Sequence, residues 1–237
     1  MCTRWSHKSY TSPNITVMRD PLNPLAATTG IGDVLKLQEQ GNVNGLIGLL
    51  DDGTVSGKVA IRGVAARALG ELKAISAITP LARLLAEDDE VTVRAFAAVA
   101  IGAIGSSDGV KPLLAALKDK HDTVRIHATT SLGNLGDPDA LPALLELLSD
   151  RSTTVRSAAA RALGVIGEAE VLPQLLDAAA SDRLMVRTAA IDAVVRIGGA
   201  STIDRLHDLR RRSHNPIFRR YISVELKKLN RAKTARR

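Results

Sequence analysis

The sequence predicts an all-α fold, an α-solenoid of about six two-helix repeats preceded by an N-terminal capping helix. Three observations favour this fold: a pattern that recurs every 31 residues, apolar residues at helical spacing within each copy, and very few aromatic side chains. Aromatic residues make up 2% of the chain, so aliphatic residues and alanine supply nearly all of its 45% hydrophobic content. Small alanine faces let helices approach closely, which suits stacked helix pairs.

The second helix of each predicted pair begins with a Val-Arg dipeptide. Val124-Arg125 of TVRIHATTSLGNLG lies 31 residues before Val155-Arg156 of TVRSAAARALGVIG. Further copies begin at Ile61, Val93, Val186 and, in degenerate form, Phe218. Repetition at a fixed period is the sequence signature of a stacked repeat architecture.

Each copy carries a helical pattern. With the Val as position zero, apolar or small residues fall at positions +4, +7, +8 and +11, which share one face of an α-helix. We expect Gly136, Gly167 and Gly198 to end these helices in the left-handed conformation. The first helix of each pair is predicted to begin with proline, whose missing N–H has no partner at that position anyway. The clearest examples are Pro112–Asp119, Pro142–Asp150 and Pro173–Asp182.

The ends of the stack need capping, because a repeat that lacks a neighbour exposes an apolar face. Residues 32–40 are predicted to form an amphipathic capping helix that turns Val34, Leu35 and Leu37 inward. The last helix is predicted to turn its Lys and Arg side chains outward and to pack through Ile222, Leu226 and Leu229. Three prolines and no periodicity mark the start of the chain. We therefore divide the chain into a flexible N-terminal segment (1–30), a solenoid (31–230) and a basic C-terminal tail (231–237).

The arginine of each Val-Arg pair forms a ladder along the repeats. We interpret this ladder as structural, because recurrence in every repeat is what a stacking device requires. The expected partners are acidic residues at the turns between repeats, such as Asp119, Asp150 and Asp182.

The consensus P-x-L-L-x-x-L…D-x-x-V-R-x-x-A-x-x-A-L-G-x-I-G resembles the short HEAT repeats of phycobilisome-lyase-like proteins. The resemblance covers Gly45–Gly198 well and Ile203–Asn230 weakly. It implies a right-handed, armadillo-like α-solenoid whose second helices line the concave surface. It implies little about activity, because a fold does not determine a function.

Positions +3, +6 and +10 of the second helices lie away from the buried stripe, on the surface that the resemblance makes concave. An exposed apolar patch with polar surroundings suits partner binding. An alternative is that Phe96 fills a gap between repeats and that His127 is a surface or packing residue. The predicted partner-binding groove consists of Arg67, Phe96, Val99, His127, Thr130, Asn134, Arg161, Asp192 and Arg196.

The net charge of +7 is concentrated at the C-terminal end. Residues 203–237 hold 12 Lys/Arg and three acids, a charge of +9, whereas the other 20 basic and 22 acidic residues give −2. Such cations can contact phosphates, an acidic protein surface or anionic lipid, or simply keep the end of the stack soluble. The candidate polyanion-binding residues are Arg210, Arg211, Arg212, Arg219, Arg220, Lys227 and Lys228.

Several classes of function lack their motifs. The sequence contains no phosphate-binding glycine loop, no H-E-x-x-H, and one cysteine, Cys2. No histidine precedes a glutamate, unlike in deoxyhypusine hydroxylase, a HEAT enzyme that holds iron with His-Glu pairs. We therefore expect no catalytic residue, metal or cofactor. With no apolar run of signal-peptide or membrane-span length, we expect a cytoplasmic protein, and we expect it to be a monomer.

Three functions follow from these observations. The first is a non-catalytic scaffold or adaptor that binds a protein partner on the concave face. The second is nucleic-acid or other polyanion binding through the basic C-terminal repeat. The third, which rests on the repeat type alone, is a phycobilin-lyase-like enzyme or enzyme subunit.

Overall fold

The computed structural model describes residues 30–50, 59–181 and 183–235, which contain helices and turns and no strand. The first helix, α1 (Ile31–Glu39), begins where the backbone N–H of Gly30 donates to the Asp33 carboxylate over 2.9 Å. The second, α2 (Val43–Gly48), begins at Asn42, whose side chain accepts from the Gly45 N–H. The predicted flexible segment lies, except for Gly30, outside the described residues.

The other helices alternate along the chain. The first helices of the pairs are α4 (Ile78–Glu87), α6 (Val110–Ala116), α8 (Leu141–Glu146), α10 (Leu172–Ser181) and α12 (Ile203–Arg212). The second helices are α3 (Val59–Glu71), α5 (Val91–Ile104), α7 (Asp122–Leu135), α9 (Thr153–Ile166), α11 (Leu184–Gly198) and α13 (Pro216–Ala235). Each first helix, from α2 onward, packs on the second helix that follows it, and each second helix packs on the next one. The predicted all-α solenoid is confirmed, whereas its handedness and its number of repeats stay predictions.

The buried residues of the second helices are largely those of the stripe predicted from the sequence. Positions +4, +7 and +8 are buried in the central repeats, as Ala128, Ser131 and Leu132 show, and position +11 is half-buried at Leu135. The first helices begin one or two residues before the predicted prolines, because a short 3₁₀ turn leads into each of them. At the C-terminal end, α13 continues to Ala235, past the predicted boundary at residue 230.

Two of the three predicted glycine helix ends are confirmed. Gly136 and Gly167 follow α7 and α9 with φ of +69° and +87°. The prediction for Gly198 is wrong, since α11 includes it and Gly199 takes the positive φ of +50°. Because Gly198 has no side chain, Thr202 can pack closely against it: a Cβ at position 198 would lie 2.2 Å from the Cγ2 of Thr202.

The capping helix α1 packs beside α3, where Gln38 donates to the Glu71 carboxylate. Val34 is buried and Leu37 half-buried as predicted, but Leu35 is 43% exposed. The prediction failed because residue 35 is turned about 100° from residue 34 around a helix of 3.6 residues per turn. Leu35 precedes Arg67 by 32 residues, the offset that separates Arg67 from Val99, so it continues their row.

A seam of small residues joins neighbouring second helices. Glycine at position +9 of one helix faces a small residue at position +7 of the next, in the pairs Gly70–Ala100, Gly102–Ser131, Gly133–Ala162 and Gly164–Ala193. A Cβ added at Gly164 would lie 2.8 Å from the Cα of Ala193, so the two backbones touch there. At the last junction Val195 and Glu225 occupy the seam positions. The seam therefore aligns the helices from α3 to α11 as one layer.

The arginines of the ladder bind aspartates in the turns between the first and second helices. Arg94 donates to Asp119 and Arg125 to Asp150 through two nitrogens each, over 2.8–3.1 Å, and Arg62 contacts Asp88 in the same way. Hydrogen bonding to Asp119 raises the pKa of Arg94 despite its burial. The structural interpretation is thus confirmed for these rungs, while Asp182 lies outside the described residues.

The ladder changes at Arg187. The residue at the position of the aspartate is Ser213, whose hydroxyl accepts from Arg187 over 3.1 Å. The guanidinium also donates to the Ala179 carbonyl and lies 3.7 Å above the ring of Phe218. Burial lowers the pKa of Arg187, whereas the ion pair raises that of Arg94. The predicted partnership with an acid is therefore replaced here by a hydroxyl and an aromatic ring.

Candidate partner-binding face

One stripe of every second helix lies away from the packed side of the stack, although Ala158 and Ala189 at its position +3 are buried. It comprises positions −1, +3, +6 and +10, which are spaced as i, i+4, i+7 and i+11 and so share one side of a helix. We call the stripes of α3, α5, α7, α9, α11 and α13, together with Leu35 of α1, the second-helix face. Because the seam aligns α3 to α11, their stripes lie side by side. The hydrogen bond from Tyr221 to Asp192 joins the stripe of α13 to that of α11, and α1 packs beside α3.

All nine predicted groove residues occupy positions of this face. Eight of them are exposed, and His127 is half-buried. Burial lowers the pKa of His127, which favours its neutral form. The structure thus places the predicted residues on one layer, and their role in binding stays a prediction.

Phe96 and Val99 form the apolar part of the face on α5, with exposed fractions of 42% and 41%. The Phe96 ring also packs on the preceding helix, since a Cβ at Gly63 would lie 2.9 Å from ring atom Cδ2. The ring therefore fills a gap between repeats and still presents a large apolar surface.

Charged side chains of the face differ in how they are neutralised. On α3, Arg67 forms an i, i+4 ion pair with Glu71 over 2.7 Å. On α9, Arg161 donates to the hydroxyl of Ser157 over 2.8 Å, which leaves its charge uncompensated by that contact. On α11, the Asp192 carboxylate accepts a hydrogen bond from the Tyr221 hydroxyl. Burial, with the hydrogen bond to Asp192, raises the pKa of Tyr221 far above its usual range.

The list of predicted groove residues leaves out several exposed apolar residues on this face, although Val165 lies at the predicted position +10. Met185 and Ile217 occupy position −1, Val224 position +6 and Val165 position +10, and each is exposed. Position −1 could have been found by continuing the i, i+4, i+7 stripe one turn towards the N-terminus. Its residues were overlooked because apolar side chains at a helix start look like core residues in a sequence.

The predicted polyanion-binding residues are spread over α12 and α13, and several already have partners. Arg211 and Arg212 contact the Asp208 carboxylate, Lys228 contacts Glu225 over 2.6 Å, and Arg210 donates to Ser223. The hydrogen bond from Arg211 lowers the pKa of Asp208. Within the described ranges no side-chain partner is seen for the exposed cations Arg219, Arg220 and Lys227.

The place of Arg220 and Lys227 at the end of the stack explains why charged residues are tolerated there. Arg220 and Lys227 lie at positions +2 and +9 of α13, where inner repeats carry residues that pack on the next repeat. The predicted outward turn of Lys and Arg is therefore confirmed. Among the helices described, none is both long and apolar enough to cross a membrane.

The family model for HEAT repeats matches residues 84–153 and 142–225, which together span more than half of the chain, and the PBS lyase HEAT-like repeat matches residues 61–87. The chain belongs to the HEAT-repeat family. A comparison with curated proteins found no match.

Solved structures resemble this HEAT-repeat protein along most of its length. YibA from Escherichia coli is 25% identical with a TM-score of 0.57, covering 88% of this chain and 79% of its own. A designed armadillo repeat protein in complex with the peptide (KR)4 is 22% identical with a TM-score of 0.53, covering 74% of this chain and 90% of its own. The complex of CpcE and CpcF of phycocyanin lyase from Nostoc sp. is 22% identical with a TM-score of 0.53, covering 64% and 98%.

Proposed function

We propose that this HEAT-repeat protein is a non-catalytic scaffold or adaptor that binds a protein partner on the second-helix face. The observation that carries the proposal is where its exposed large hydrophobic side chains lie. Of the nine in the described part of the chain, seven lie on this face: Leu35, Phe96, Val99, Val165, Met185, Ile217 and Val224. Apolar side chains gathered on one surface and surrounded by polar ones are typical of an interaction site.

Two further points support the proposal. The designed armadillo repeat protein of similar fold holds a peptide, so a stack of this kind is able to present a binding surface. The face is also well ordered by its scaffold, because the glycine seam and the buried ion pairs fix the helices that carry it. A rigid, preformed surface loses little entropy when a partner binds.

Affinity capture with quantitative mass spectrometry tests this function. The face is altered in the double variant Val99→Asp/Arg161→Glu, and the matched control is Ile75→Asp, which changes an exposed apolar residue away from the face. We expect proteins retained by the wild type and the control to be lost from the double variant. Identical sets of proteins from all three, with circular dichroism showing intact helices, would remove the face as the binding site.

Polyanion binding is a second candidate, and the exposed cations Arg219, Arg220 and Lys227 are the observation that favours it. Electrophoretic mobility of a short RNA or DNA duplex across a salt series tests it, because phosphate contacts weaken steeply as salt rises. Binding at low salt that disappears in Arg219→Glu/Arg220→Glu would support this function. Absence of any shift at low salt would count against it.

The lyase-like alternative rests on the fold resemblance to the CpcE and CpcF complex. Incubation with a bilin chromophore and its acceptor protein, followed by a search for a covalent adduct, tests this activity. We expect no adduct above the uncatalysed background, and an adduct that depends on this protein would replace the scaffold proposal by an enzymatic one.

A further inference from the structure

The polar and apolar residues of the second-helix face are ordered along the solenoid. On α5, the residues Phe96 and Val99 make the face apolar. The preceding helix adds no net charge, since Arg67 and Glu71 neutralise each other. On α7 the face is polar and uncharged through Thr130 and Asn134.

Positive charge follows on the next two helices. Arg161 of α9 and Arg196 of α11 are both exposed at positions of the face. At the four face positions of α7, α9 and α11 the one carboxylate belongs to Asp192, which accepts from the Tyr221 hydroxyl. With Arg161 and Arg196 (two positive charges and one negative) it leaves a formal net charge of +1 on these helices. A guanidinium has five donors, and Arg161 uses one of them on Ser157. Donors for a carboxylate therefore remain on both arginines.

Apolar residues appear again on α13, where Lys228 at position +10 is paired with Glu225. Ile217 and Val224 are exposed there, next to Tyr221 in the same stripe. The two arginines thus lie between the apolar residues of α5 and those of α13, and exposed Val165 and Met185 lie beside them on α9 and α11.

The middle of the face favours an extended chain over a helix. An exposed amide such as Asn134 offers both donors and an acceptor, and it makes no side-chain hydrogen bond within the described ranges. An extended segment has free backbone N–H and C=O groups to pair with it, whereas a helix satisfies its own. Adjacent helix axes lie about 8–10 Å apart, and an extended chain rises about 3.3 Å per residue. Each repeat therefore matches roughly three residues of a bound segment.

We propose that the face binds an extended acidic segment of a protein, held by apolar side chains at both ends. The first apolar residue of the segment lies against Phe96 and Val99. Counted from that residue, carboxylates lie roughly six and nine residues along, at Arg161 and Arg196. A second apolar residue, about twelve residues along, contacts Val224. Charge complementarity selects the acidic residues, and the two apolar patches fix the register. This inference rests on the proposed function and specifies its partner.

Selection of peptides from a displayed library of random 16-residue sequences tests the pattern in either chain direction. We expect the wild type to enrich Asp or Glu at the stated spacing from an apolar residue. The variant Arg161→Glu/Arg196→Glu should enrich Lys or Arg at the same spacing. The matched control Arg219→Glu/Arg220→Glu, in which cations away from the face are reversed, should keep the acidic preference.

Affinity of one selected peptide, measured by fluorescence anisotropy, provides the second readout. Replacing its two acids by the corresponding amides should weaken binding to the wild type by about tenfold or more, and should not weaken binding to Arg161→Glu/Arg196→Glu. No enrichment, basic or neutral peptides from the wild type, or an acidic preference that survives in Arg161→Glu/Arg196→Glu would overturn the inference. The inference would also be overturned if Arg161→Glu/Arg196→Glu abolished binding of RNA and left binding of the acidic peptide unchanged.

The two proposals fail in different ways. One outcome is that capture of proteins is lost in Val99→Asp/Arg161→Glu while the selected peptides lack the acidic pattern. In that case the face binds a partner of another kind, and only this inference is lost. If capture does not depend on the face at all, the proposed function itself is lost.

Discussion

The substitution Asp150→Ala probes the ladder that holds the repeats together. Asp150 receives two hydrogen bonds from Arg125, over 2.9 and 2.8 Å, and a third from the Ser152 N–H over 2.7 Å. The side chains of the pair are 5% and 10% exposed. Alanine at position 150 therefore leaves a buried guanidinium without its counter-charge.

The expected loss is about 3–5 kcal/mol of unfolding free energy, the range for removing one partner of a buried ion pair. Asp208→Ala is the matched control, because Asp208 forms its ion pairs with Arg211 and Arg212 in largely exposed positions. Such exposed pairs contribute about 0–1 kcal/mol. The double variant Arg125→Met/Asp150→Ala should recover part of the loss, since it removes the stranded charge.

Urea titration followed by circular dichroism measures these differences, provided that the slope m stays unchanged. A pH series adds a second test. Burial acts to raise the pKa of Asp150, but hydrogen bonds from Arg125 and from the Ser152 N–H lower it below 3.8. A carboxylate with a lowered folded-state pKa stabilises the fold above its unfolded pKa, and this stability is lost as pH falls through the folded pKa. The gap between wild type and Asp150→Ala should therefore narrow below about pH 4. A cost for Asp150→Ala no larger than for Asp208→Ala would refute the ladder as a stacking device.

Three other perturbations test the stack. Leu132→Ala should lower the unfolding free energy by about 2–5 kcal/mol in urea titrations, because it opens a cavity in a central repeat; an unchanged midpoint would show that Leu132 is not in the core. Gly164→Val should cost at least about 1–3 kcal/mol by the same measurement, because its Cβ meets the Ala193 backbone, whereas Gly32→Ala, which has open space, should cost nothing; equal effects would refute the seam. In hydrogen exchange, α12 and α13 should lose protection before α5, α7 and α9, because Ser213 and Val195 alter the ladder and the seam at that junction; uniform protection would contradict this.

Much of the fold could be predicted from the sequence because the same packing pattern recurs from repeat to repeat. A Val-Arg pair followed by small residues at fixed positions defines one helix face, and several copies leave no doubt about its period. The glycines at position +9 belong to the same pattern, although only the structure shows that they let backbones touch. Errors arose where the repeat is unique: Leu35 has no preceding copy to set its register, and Gly198 precedes a second glycine.

The candidate face was harder to predict than the fold. Its positions follow from helical geometry, and that geometry placed Phe96 and Arg161 correctly on the surface. Met185 and Ile217 escaped notice because an apolar residue has the same appearance in a sequence whether it is buried or exposed. The hydroxyl of Tyr221 reaches Asp192 across 29 residues, a contact that no local pattern encodes.

Photo-crosslinking tests the central claim, that the second-helix face holds the partner, most directly. A benzophenone amino acid replaces Val99, Val165 or Val224 on the face, or Ile75 away from it, and the protein is irradiated in the cells that produce it. We predict that the three face positions crosslink to the same partner and that position 75 does not. Crosslinks from position 75 alone, or to unrelated proteins at each face position, would contradict the account.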